Sequence, residues 1–138
     1  MIRRKVFEDI GLFDEEFFLY FEEIDLCARA AKAGWQTWYV EESFVHHEGA
    51  VSTGMNDRSR PVPSYWFESR TRFFMKAHGS PTLVAANVLF TLGYALFRAR
   101  RLIQRKPDRD PPHLLTDFIK HNFRFRAPAA NRMTEVLQ

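Results

Sequence analysis

Residues 82–97 read TLVAANVLFTLGYALF, apolar on every helical face apart from Asn87, Thr91 and Gly93. A helix with so little polar surface has to be covered, either by a protein core or by lipid. The run is shorter than the roughly 20 residues that span a bilayer comfortably. Arg98, Arg100 and Arg101 follow at once. Two arrangements fit that order: a helix lying on an anionic leaflet with its basic end in the headgroups, or a buried core helix with a solvated basic end. The chain has 138 residues, enough for one domain with a real core and too few for two ample ones.

Charge and aromatics narrow the reading. Fourteen Phe and three Trp call for a well-packed core, or for a surface meant for a partner or membrane. The net charge is only +3, but residues 8–48 are acid-rich while 98–106 read RARRLIQRK. That asymmetry points to an anionic partner near the C-terminal half. Cys27 is the single cysteine, which excludes an internal disulfide and a cysteine zinc cluster and reads as a packing residue. The opening MIRRKVFEDIG has no apolar stretch behind its basic residues, so no signal peptide is expected and a reducing cytoplasm is the default.

Along the chain, residues 3–10 predict a short helix stopped by Gly11. Residues 22–33 predict the clearest helix, with acids in its first turn, alanines within, Lys32 near its end and Gly34 as its stop. QTWYV (36–40) and SFVHH (43–47) read as strands, and residues 49–61 as a polar loop. An aromatic and basic helix is expected over 63–78, the apolar helix over 81–104, a linker at KPDRDPP, and a last helix in HLLTDFIKHNFRF. The expected organisation is an α/β piece over 1–60 followed by a helical tail over 61–138.

Glu22, Glu23 and Asp25 crowd three carboxylates into four positions. Like charges that close repel. At a helix start they meet free N–H groups and the positive end of the macrodipole, each stabilised by roughly 0.3–1 kcal/mol, and this alone can account for the cluster. A chemical role is the other reading. The cluster follows the aromatic run FFLYF, and a carboxylate at an apolar wall is suited to act as a base near neutral pH. His46 and His47 lie beyond on the second predicted strand, where they can approach the helix start; together a carboxylate and an imidazole can hold a divalent ion. His46 alternates to the other side of that strand and reads as a core or surface histidine.

The stretch GLFDEEFFLYFEEIDLCARAAKAGWQTWYVEESFVHHEGAVS resembles the C-terminal half of the catalytic domain of family 2 glycosyltransferases, most closely the bacterial rhamnosyltransferase-like branch that builds surface polysaccharides. Gly11, Phe13-Asp14-Glu15, Phe17-Phe18, Tyr20-Phe21-Glu22-Glu23, Asp25-Leu26-Cys27, Arg29 and Gly34-Trp35 carry the pattern, then Val45, His47, Gly49 and Ser52. The resemblance covers residues 3 to about 53. It implies the C-terminal portion of a GT-A fold, a Rossmann-like α/β sandwich. The implied activity is transfer of a sugar, rhamnose by branch, from a nucleotide-diphosphate donor to a glycan or lipid-linked acceptor with inversion. The catalytic group it implies is Glu22, Glu23 and Asp25, with Glu23 as base in the place where the family usually carries Asp. His47 is the implied ligand of a divalent metal, Mg or Mn, or of the diphosphate. Asp14, Glu15 and Trp35 are the implied acceptor-binding residues, with a turn cap as the other reading of Asp14. Asp25 and Arg29, four apart on one helix face, can pair, which makes Arg29 a structural support.

The family's nucleotide site lies in an N-terminal half that this sequence does not match. There is no G-x-G-x-x-G and no P-loop, and the one D-x-D, Asp108-Arg109-Asp110, sits in the proline linker with no strand before it. The expectation is therefore a fragment, inactive alone, whose partners include the missing half, at the cytoplasmic face of an anionic membrane. The competing reading is a non-catalytic membrane-surface or assembly module. A nucleic-acid role, from YWFESRTRFF and RARRLIQRK, is not expected, because amphipathic helices interleave aromatic and basic residues routinely.

Overall fold

The computed structural model describes residues 1–46 and 57–123, and among them every regular element is a helix. In chain order these are α1 (Arg4–Ile10), α2 (Glu22–Lys32), α3 (Ser64–Ile103) and α4 (Leu114–Phe123). Helix α1 ends where expected, at Gly11, whose φ of 79° only glycine adopts without strain. Helix α2 also ends as expected. Gly34, at φ 85°, turns the chain so that its N–H reaches the Ala31 carbonyl at 3.1 Å. The Trp35 N–H reaches Ala30 at 2.9 Å, and these two bonds satisfy carbonyls the helix end would otherwise leave free.

Helix α3 is two helices joined at a reversal. Gly79 stands at φ 80°, ψ 172° inside it, with Pro81 just beyond. The Arg70 guanidinium donates to the Asn87 side-chain oxygen at 2.6 Å. In a straight helix those residues would be about 25 Å apart along the axis, so residues 64–78 and 80–103 run back on one another as two arms. Helix α4 packs on both: the Phe118 ring is fully buried between Phe67 (6.1 Å) and Phe90 (4.3 Å). A polar network runs through this bundle. Asn87 donates to Asn122 at 3.1 Å, Thr71 donates to the same oxygen at 3.2 Å, and Arg70 lies over the Phe74 and Phe118 rings. Because Gly79 occupies a region closed to side chains, we expect Gly79→Ala to destabilise the fold by about 2 kcal/mol. Its Cβ meets nothing closer than 3.8 Å, so the loss is backbone strain; a chemical denaturation curve with unchanged slope checks it.

The α/β expectation is overturned. Among the described residues there is no strand: 36–40 and 43–46 are irregular, joined by a turn in which the Ser43 N–H meets the Val40 carbonyl at 3.2 Å. Tyr39, Phe44 and Val45 are exposed. The residues are good strand formers, but a strand exists only by pairing, and a lone hairpin is marginal in water. The alternating apolar pattern is present and the ladder that would use it is not, so the GT-A portion expected from the resemblance is not the observed architecture. The expected helices over 63–78 and 81–104, the linker and the last helix are all present, the last described as far as residue 123.

Candidate functional site

The chain enters α2 through two residues in left-handed backbone, Tyr20 (φ 67°) and Phe21 (φ 70°). That conformation is unfavourable for bulky L-residues and persists only where packing over-determines it. Here the first arm of α3 does so. The Phe21 ring lies 5.8 Å from both Trp66 and Phe73, Tyr20 stacks on Tyr65 at 6.3 Å, and the Ser69 hydroxyl donates to the Leu19 carbonyl at 2.9 Å. The turn starts α2 abruptly, without a side-chain cap. Glu22 and Glu23 occupy its first two positions, beside the unpaired N–H groups and the positive end of the dipole. Glu23 is exposed. Glu22 is half-buried, and its Oε2 is shut from solvent with no hydrogen-bond partner among the described residues.

Asp25, one turn on, is 2% exposed. The Arg29 Nε donates to it at 2.8 Å, the pairing expected from their spacing, and the Lys76 Nζ donates at 2.9 Å. Arg29 continues to the carbonyls of Ile10 and Leu12, which ties the end of α1 and the following loop to α2. Lys76 also reaches Asp14 at 2.8 Å. Arg72 meets both Asp14 carboxylate oxygens at 3.1 Å and lies 3.5 Å from Glu16. Charges thus alternate from Arg29 through Asp25, Lys76, Asp14 and Arg72 to Glu16, binding the loop and α2 to the first arm of α3. Lys32 adds a bond to the Ala77 carbonyl at 3.1 Å.

The other predicted site residues are placed as follows. Asp14 caps its own turn, accepting from the Glu16 N–H at 3.0 Å, while Glu15 is exposed. Trp35 donates from Nε1 to Asp9 at 3.1 Å and lines a hollow with Val6, Leu26 and Ala30. Cys27, expected as a packing residue, is exposed at that hollow; the apolar face of α2 runs through Leu26 instead. His47, with Gly49 and Ser52, lies outside the described residues. Arg72 and Lys76 were missed by sequence reasoning. Their signal was the four-residue spacing of two cations, which puts both on one helix face.

The Lys76 ammonium, with the Glu16 backbone N–H and then the Arg72 guanidinium, holds the Asp14 carboxyl at a pKa of about 2, below its ordinary 3.8, against an opposing effect of burial smaller than that of Lys76. Burial disfavours the Lys76 ammonium, but Asp14 and Asp25 outweigh it and its pKa is raised. A depressed carboxyl pKa contributes stability that is complete above the unfolded value and is lost as pH falls through the folded one. We therefore expect the unfolding free energy to drop by about 1 kcal/mol between pH 4 and pH 2 on account of Asp14, after allowance for solvent screening of its half-exposed partners. Asp14→Asn should remove that part of the acid slope, as read from denaturation midpoints across the range.

Among the described residues no group of three or more His, Cys, Asp or Glu is placed to hold a metal ion. Asp14 and Asp25 are already engaged by cations. The described residues therefore do not by themselves form a divalent-cation site.

No family model matches the chain, and no solved structure does. Over 59 residues, 43% of the chain, it is 44% identical to the N-acetylglucosaminyl-diphospho-decaprenol L-rhamnosyltransferases of two strains of Mycobacterium tuberculosis. The matched stretch spans 19% of the length of those relatives. Over that stretch the chain is glycosyltransferase-like.

Proposed function

We propose that this chain contributes the acceptor-activating part of a glycosyltransferase that moves a sugar, L-rhamnose by analogy with the mycobacterial relatives, from a nucleotide-diphosphate donor to a glycan or lipid-linked acceptor. The identity over 59 residues carries the reading. The rigid presentation of an exposed carboxylate at the start of α2 supports it. In the step envisaged, an acceptor hydroxyl oxygen bonds to the anomeric carbon from the face opposite the leaving group. The bond from that carbon to the donor oxygen breaks, and its electron pair leaves with the nucleoside diphosphate. Glu23 takes the hydroxyl proton, and the configuration inverts. A positioned base of this kind contributes roughly 10²–10⁴-fold. Glu22 adjoins it with one oxygen already out of water. The lock of Asp25, Arg29 and Lys76 fixes the helix that carries both, since geometry sets the efficiency of proton transfer.

The test is a chimera. The matched stretch replaces its counterpart in the mycobacterial relative, and transfer of radiolabelled rhamnose to that protein's lipid-linked acceptor is measured. Activity above that of a chimera carrying Glu23→Gln supports the reading. Equal activity of the two removes Glu23 as base. A chimera that folds, by circular dichroism, and transfers nothing leaves the alternative of a non-catalytic assembly module.

A further inference from the structure

The second arm of α3 is inside out. Its polar residues face the bundle: Asn87 is 3% exposed and hydrogen-bonded on both sides, Thr91 donates to the Asn87 carbonyl at 2.8 Å, and the Tyr94 hydroxyl donates to Asp110 at 2.9 Å. Phe90 joins them against Phe118, but most of the arm's large apolar residues face out. Leu89, Leu92 and Leu96 are 69%, 58% and 72% exposed, with Val84, Val88 and Ile103 also open. A helix that folds against its own chain in water puts these the other way round. The arm belongs to a stretch long and apolar enough to cross a membrane by composition. Yet its inner face is bonded to Arg70 and α4, so it cannot leave the bundle to span.

The end of the stripe says what covers it. Leu89, Leu92, Leu96, Arg100 and Ile103 follow one another at spacings of three and four, on a single helix face. Residues 98–110 hold six cations against two carboxylates, and both carboxylates are occupied: Asp108 by Arg98, Asp110 by Arg101 at 3.0 Å. Arg100, Arg105, Lys106 and Arg109 are exposed and have no acidic partner among the described residues. Arg100, Lys106 and Arg109 line one basin with Arg58 and Phe97. An apolar stripe running into unneutralised cations complements an anionic bilayer, acyl chains below and phosphate headgroups at the rim. A second copy of this chain would bring cations against cations.

We propose that the outer face of the second arm, from Val84 to Ile103, lies in the plane of an anionic membrane, with Arg100, Arg105 and Lys106 in its headgroup layer. The full chain is sedimented with vesicles of phosphatidylcholine alone and of phosphatidylcholine mixed with phosphatidylglycerol, and its mass in solution is measured in parallel. The expected result is binding to the mixed vesicles, weakened by salt and near background on phosphatidylcholine. Leu92→Glu with Leu96→Glu should abolish it. Arg100→Gln, Arg105→Gln and Lys106→Gln together should weaken it by roughly fivefold per cation removed, with helix content unchanged in both variants. Equal binding to both vesicle types, or retention by either variant, overturns the proposal. So does a wild-type dimer that ignores vesicles and becomes monomeric in the Leu92→Glu, Leu96→Glu variant, which would make the stripe an interface between copies.

Discussion

In the rhamnosyltransferase chimera that tests the proposed function, replacing Glu23 by Gln is expected to lower the rate of sugar transfer by roughly 10²–10⁴-fold, the range lost when a positioned general base is removed. The amide keeps the size and a hydrogen-bonding oxygen but cannot accept the acceptor's proton. Glu23 is exposed, so the effect falls on turnover, and stability should change by no more than the roughly 0.3–1 kcal/mol that a first-turn carboxylate contributes. Glu23→Asp separates the base from a mere surface charge. It keeps the carboxylate, one methylene nearer the helix, and should retain most of the activity. If Glu23→Gln transfers sugar as fast as wild type, the neighbouring half-buried Glu22 becomes the residue to replace.

Helix ends and same-helix pairs are decided locally and are legible in the sequence. Gly11 and Gly34 end their helices because a positive φ is needed there, and Asp25 finds Arg29 because residues four apart share a helix face. What failed was what depends on distant chain. Residues 36–46 have the alternation and the aromatics of strands, and the alternation is real; a ladder needs a second strand at about 4.8 Å, and periodicity cannot supply one. Lys76 could not be placed at Asp25 from the sequence, since they are 51 residues apart and meet only because Phe21 and Ser69 fix how α2 lies on the first arm. The inside-out second arm was half legible. Asn87 and Thr91 stood out as the polar exceptions in an apolar run, but the direction they face is set by Arg70 and Asn122.

Asp25→Ala is expected to destabilise the fold by about 3 kcal/mol, the lower end for removing one partner of a buried ion pair, and to lower the melting temperature by about 10 °C. Its side chain is the most enclosed member of the charge chain, 3% exposed against 16% for Asp14, so the cations it leaves behind decide the size of the effect. Arg29, 23% exposed, loses its partner while its other nitrogens stay fixed on the Ile10 and Leu12 carbonyls, and it cannot turn out to water without releasing α1. Lys76 is more open and keeps Asp14, so Lys76→Met should cost only about 1 kcal/mol. Because both substitutions remove the same Lys76–Asp25 bond, they should not add: that bond is lost only once, and the loss in the double variant should fall short of the sum by at least about 0.5 kcal/mol. The same pair assigns Asp25 its role. As a positioning residue it should lose activity in step with the loosening of α2, and the double variant should lose activity in the same proportion to its own stability. Activity that vanishes in Asp25→Ala with the melting temperature unmoved would instead place its carboxylate among the reacting groups.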